Sequence, residues 1–124
     1  MNARDILIAS QKISTDQLKK LCQYWFDDMV KIVVDIEKEI VALGGELHAD
    51  AETLLIEQGS NPKAVWGANF YPWHEAENRL EFTALINIRP KQDNFSMEIM
   101  DQRIKLKMTE IVERYVLASN EKLV

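Results

Sequence analysis

A chain of 124 residues with 47% apolar and 28% charged side chains is long enough for one hydrophobic core and too apolar to stay disordered. Its net charge of −5 disfavours nucleic acid, whose non-specific binding needs Lys and Arg to neutralise phosphates. No run of about 18 apolar residues could span a membrane, MNARDILIAS lacks a signal-peptide pattern, and the lone Cys22 cannot close an internal disulfide, so a cytoplasmic protein is expected.

The charge is unevenly placed. Residues 1–62 carry 6 basic and 11 acidic side chains, residues 63–124 carry 9 of each, and residues 89–107 carry 5 basic to 3 acidic. So small a local excess reads as a solvated face. With no linker, repeat or low-complexity segment, the expectation is one α+β domain over residues 1–124.

In chain order, DILIA at 5–9 suggests a short strand near the N-terminus. Ser14 with Gln17 three residues on is a capping box, and Asp16 places negative charge in the first turn of the helix that follows. No Pro or Gly interrupts until Gly44 and Gly45, so the pattern predicts one helix over residues 15–43, about 43 Å long at about 1.5 Å per residue. At 100° steps, Leu18, Cys22, Trp25, Met29, Ile32, Val33, Ile36, Ile40 and Leu43 share a broad arc that Val30, Val34 and Val41 widen. An arc that wide implies burial against two surfaces, a sheet and a second subunit, and a homodimer through the long helix follows. Glu37 falls inside the arc, either at its margin or paired with Arg89 or His48.

Residues 51–58, AETLLIEQ, read as a short helix capped by Asp50 and ended by Gly59, with a strand as the rival. Residues 64–90 then read as an antiparallel hairpin. Trp66, Ala68 and Phe70 share one face of its first strand, and Leu80, Phe82, Ala84, Ile86 and Ile88 share one face of its second. PWHEAEN forms the turn. Asp101 looks like the cap of a last helix running to about Ala118, and the final SNEKLV should fray. The predicted fold is an antiparallel sheet built on this central hairpin, covered on one face by the long N-terminal helix and the C-terminal helix.

The segments GGELHADAETLLIEQGS, WGANFYP and LINIRP, in that order and spacing, resemble a family of short bacterial and archaeal proteins known only as a domain of unknown function. The resemblance covers residues 28–115. Relatives in that family tend to carry proline where this chain has Gln102. The resemblance implies a shared fold unit and no activity.

Three constellations could carry chemistry. His48, Asp50 and Glu52 would point the same way in an extended segment and are suitable ligands for zinc, manganese or iron, with His74 as a fourth; if Asp50 caps a helix instead, capping explains both acids without metal. Arg89, Asn94 and Ser96, with the start of the last helix, could cradle a small anion, unless Arg89 pairs with an acid such as Glu37 or Asp93. Tyr71 and Trp73 point away from the inferred core and suit a partner surface, whereas Cys22 lies on the apolar helix face as an inert thiol. No glycine-flanked nucleophile and no phosphate loop is present. The functional expectation is a small binding or regulatory module acting as a homodimer, with a metal-dependent hydrolase as the alternative. A divalent metal is the only cofactor suggested, and it is not favoured.

Overall fold

Ser14 starts the first helix as its sequence dictates: its Oγ accepts from the Gln17 amide at 3.1 Å and Gln17 Oε1 accepts from the Ser14 amide at 3.0 Å. The computed structural model describes residues 5–124. Its elements are β1 (Leu7–Ala9), α1 (Thr15–Trp25), β2 (Val30–Asp35), β3 (Ile40–Leu43), α2 (His48–Glu57), β4 (Val65–Phe70), β5 (Leu80–Glu81) and α3 (Gln102–Tyr115). The strands form one sheet in the order β1-β3-β2-β4-β5, with every neighbouring pair antiparallel. The α+β class and the antiparallel sheet are as expected.

The long helix over residues 15–43 does not form. α1 ends at Trp25, Asp27 turns the chain at φ 68°, and the rest of the predicted helix is the hairpin of β2 and β3. The reason lies in VKIVVD and IVAL, whose β-branched side chains lose rotamer freedom in a helix and fit a pleated sheet. β2 is covered on both faces, so it reads as a continuous apolar run that periodicity cannot separate from a helix. The reversal uses neither Gly nor Pro. Asp35 Oδ1 accepts from the amides of Glu37 and Lys38, both at 2.9 Å, and Glu39 takes a left-handed conformation at φ 57°. Glu37 is exposed and accepts from Asn61 Nδ2 at 3.3 Å, not from Arg89 or His48.

Helices cover both faces of the sheet, correcting the one-sided arrangement. On one face Leu18 and Cys22 of α1 and Met108, Ile111 and Val112 of α3 bury Val30, Ile32, Val34, Trp66 and Phe70. On the other, Ala51 and Leu55 of α2 pack with Ile6, Val33, Ala42 and Val65. Trp66 and Phe70 are each 1% exposed, so the aromatic side of β4 is core as expected.

The expected second strand of the hairpin is cut short. Only Leu80 and Glu81 pair with β4; Leu85–Asn87 is a 3-10 turn. Asn87 replaces the missing strand: the Gly67 amide donates to its Oδ1 at 2.9 Å and its Nδ2 donates to the Gly67 carbonyl at 3.0 Å. Glycine at 67 is required, because a Cβ there would lie 2.7 Å from Ala84 Cβ. One result is that Phe82 packs with the α1 and α3 core while Ile86 packs with the α2 core, so they lie on opposite sides of the sheet.

α2 makes residues 51–57 helix with Gln58 as its C-cap, but Leu47 and not Asp50 stands at its N-cap. Asp101 does cap α3, accepting from the Arg103 amide at 2.8 Å. The last residues do not fray as expected. Arg79 donates to the carbonyls of Ala118 at 3.1 Å and Glu121 at 2.5 Å, Lys12 pairs with Glu121, and Leu123 is buried.

Candidate ligand-binding cleft

The residues singled out in the sequence are mostly occupied by the chain itself. A guanidinium has five N–H donors, and Arg89 uses all of them. Nε donates to the Ile86 carbonyl at 2.9 Å. Nη1 donates to the Pro62 carbonyl at 3.0 Å and Gln92 Oε1 at 3.4 Å. Nη2 donates to Glu52 Oε2 at 3.5 Å and to the Val65 carbonyl. The guanidinium also lies 4.4 Å from the centre of the Trp66 ring. Its acidic partner is therefore Glu52 of α2, not Glu37 or Asp93. Burial pushes the Glu52 carboxyl up, with Arg89 opposing, and pushes the Arg89 guanidinium down, with Glu52 opposing.

Asn94 and Ser96 share that loop with Arg89 and are spent the same way. Asn94 Nδ2 reaches the carbonyls of Asn87 at 2.8 Å, Ser96 at 2.9 Å and Glu98 at 3.0 Å, while its Oδ1 accepts from the Met100 amide at 2.8 Å. Ser96 Oγ accepts from the Glu98 amide at 3.1 Å. Asn94 and Ser96 tie the loop to itself and Arg89 ties it to β4 through the Val65 carbonyl; Arg89 and Asn94 keep no free hydrogen for an anion.

His48, Asp50 and Glu52 diverge because the segment is helical, so the extended spacing that would align them is absent. His48 Nε2 lies 2.9 Å from the Ala68 carbonyl, Asp50 accepts from the Leu47 amide at 3.1 Å, and Glu52 turns to Arg89. His74 is exposed and stacks on Tyr71, with ring centres 4.8 Å apart. Among the described residues, no group of three or more His, Cys, Asp and Glu side chains is placed to hold a metal. Tyr71 is half-buried beneath that stack, and Trp73 is 39% exposed.

The structure forms a cleft that the sequence reading missed. It holds about 340 Å³ between the start of α2, the first residues of β2 and the loop after β5. Met29, Ala84, Leu85, Ile86 and Met97 supply apolar walls, and Lys31, His48, Asn69 and Thr83 supply polar groups. The rim is strongly apolar: Leu47 is 58%, Leu85 70% and Met97 40% exposed.

Three of these polar groups have a defined setting. Lys31 Nζ donates to the Glu46 carbonyl at 2.8 Å and lies 5.1 Å from the centre of the Phe26 ring. His48 is 9% exposed, and burial holds its imidazolium below the usual histidine range. The Ala68 carbonyl and Asn69 act upward on it, and the Lys31 charge acts downward. Asn69 Nδ2 donates to Glu81 Oε1 at 2.7 Å, and its Oδ1 is buried without a partner among the described residues.

Of these groups, sequence reasoning singled out only His48, and for a different chemistry. Lys31 falls within residues 15–43, where the sequence predicts one helix and the structure forms β2. The signal available was Phe95 and Met97, large apolar residues within the otherwise polar PKQDNFSME, together with Leu85 on the loop before it.

Burial, with the charge of Asp28, pushes the Cys22 thiol up to about 12, so it is protonated and hidden under α1. No helix among the described residues is long and apolar enough to cross a membrane.

No curated protein and no solved structure matches the chain significantly. A protein-family pattern does match, over residues 7–115, from β1 to the end of α3. That span takes in every residue of the cleft, and by it the chain belongs to DUF5674, a family of proteins of unknown function.

Proposed function

We propose that the chain is a non-catalytic binding module that takes a partly apolar ligand into the cleft at the start of α2. One observation carries this reading: a cleft of about 340 Å³ whose walls are mostly apolar and whose polar groups include Lys31, His48 and Asn69, which stand together. Ligand sites are commonly about 300–1,000 Å³ and built in this way. A cytoplasmic setting belongs to the same proposal, since the one cysteine is unpaired and buried.

Anilinonaphthalene sulfonate fluorescence tests it. The dye's emission should rise with the native chain and fall back for Ala49→Trp, which fills the cleft from an exposed position on α2. No rise, or a rise that Ala49→Trp leaves unchanged while melting is unaltered, removes the reading.

A homodimer remains the assembly we propose, on new grounds. Its support moves from the absent long helix to exposed apolar side chains of one loop: Leu85 at 70%, Ile88 at 45%, Phe95 at 65%, Met97 at 40% and Met100 at 56%. Apolar groups concentrated in this way favour a protein contact. Sedimentation should give twice the chain mass for the native protein and the single chain mass for Phe95→Asp. A native chain that stays monomeric at high micromolar concentration contradicts it.

A further inference from the structure

The polar end of the cleft contains two acceptors, on His48 and Asn69, to which no donor is bonded among the described residues. The Ala68 carbonyl can only accept, so His48 Nε2, 2.9 Å away, carries the ring proton. Nδ1 of the neutral ring is then an acceptor. The Asn69 amide is oriented by the same logic, because the Glu81 carboxylate can only accept from Nδ2, at 2.7 Å. Its Oδ1 is therefore a second acceptor, buried and without a partner among the described residues. Asn69 and His48 are close enough for Oδ1 to favour the protonated ring. Burial and Lys31 act the other way and keep the ring neutral, so the second ring proton that would fill the gap is absent at neutral pH.

Lys31, the cross-strand partner of Asn69, has the opposite imbalance. Lys31 spends one hydrogen on the Glu46 carbonyl and forms no ion pair among the described residues. Leu47, at the N-cap of α2, offers no side-chain acceptor to the first amides of that helix. A complementary ligand head thus gives a hydrogen to His48 Nδ1 and presents an oxygen toward Lys31. Buried polar groups left unpaired are what makes such a site selective.

We propose that the cleft is a site for a small amphipathic carboxamide, its N–H donated to His48, its carbonyl facing Lys31 and its apolar body against Leu85, Ile86 and Met97. This rests on the reading of the cleft as a ligand site. A carboxylate of the same shape satisfies Lys31 but has no hydrogen for Nδ1. Its charge also adds to that of Glu81, which is already hydrogen-bonded to Asn69.

Three probes on the native chain decide it by nitrogen-edited NMR titration: 4-phenylbutanamide, its N,N-dimethyl form and 4-phenylbutanoate. The primary amide should shift the amides of Ala49, Leu85 and Met97 and move His48 Nδ1 toward a hydrogen-bonded acceptor. The dimethyl amide should bind about tenfold more weakly, the size of one net hydrogen bond. His48→Leu, which removes the Nδ1 acceptor, should erase that difference; if it fails to fold, the paired probes on the native chain still decide. Equal binding of the two amides, or tighter binding of 4-phenylbutanoate, overturns the donor assignment while leaving the cleft as a ligand site. No shift at Ala49, Leu85 or Met97 with any probe overturns both.

Discussion

The side chain of Asn87 closes both backbone hydrogen bonds of Gly67, at 2.9 and 3.0 Å, in the place where a neighbouring strand would close them. Its Nδ2 also reaches the Met97 carbonyl at 3.1 Å, so a single side chain fixes both walls of the loop that bounds the cleft. Asn87→Ala leaves buried backbone groups unpaired and should cost about 3 kcal/mol. Asn87→Asp keeps the acceptor for the Gly67 amide, loses the donor and places a charge there, so it should not rescue the loss. Urea unfolding of the two variants checks this, and a cost below about 0.5 kcal/mol for Asn87→Ala would contradict the ladder role.

Arg89 is a fastener with five acceptors from four parts of the chain. Arg89→Lys keeps the charge and gives up the planar fork, so it should lower stability by about 2 kcal/mol, with Arg89→Ala lower still. Inorganic phosphate should leave the native melting temperature unchanged. A phosphate-dependent rise that Arg89→Lys abolishes would restore the anion site.

Stability should respond to pH through His48. Its folded-state pKa lies below the unfolded one, chiefly from burial, so the unfolded chain takes up a proton first. The contribution of the neutral ring is complete above about 6.5, the ordinary histidine value, and is lost as pH falls through the folded value. Chemical unfolding measured across that window should slope less for His48→Gln than for the native chain. Identical slopes would contradict the burial of a neutral ring.

Cys22 provides a control for the core. With its thiol pushed up to about 12 and its side chain fully covered, it should react with a disulfide reagent only when the chain unfolds. Labelling in native buffer at the rate of a free thiol would mean that the layer of α1 is misplaced.

The parts of the fold set by local chemistry were legible in the sequence, and those set by long-range pairing were not. Ser14 with Gln17 and Asp101 mark helix starts because capping acts within one turn, and both caps are observed. The alternation of Trp66, Ala68 and Phe70 was legible because β4 presents three successive inward side chains to one core. Val30 to Leu43 misled because burial on two faces removes alternation, and because Asp35 and Glu39 turn the chain without Gly or Pro. β5 stops early because Asn87, seven residues past Leu80, supplies its hydrogen bonds from a side chain, which no strand periodicity encodes. At the site, His48 stood out by residue type, but its meaning depends on Ala68 and Asn69, twenty or more residues away.

A crystal structure of the chain with 4-phenylbutanamide tests the central claim most directly. Density for the probe should lie in the cleft, its ring against Leu85 and Ile86 and its amide nitrogen within hydrogen-bond distance of His48 Nδ1. An empty cleft with the probe bound elsewhere, or a cleft closed by Leu47 and Met97, would contradict the assignment of this site.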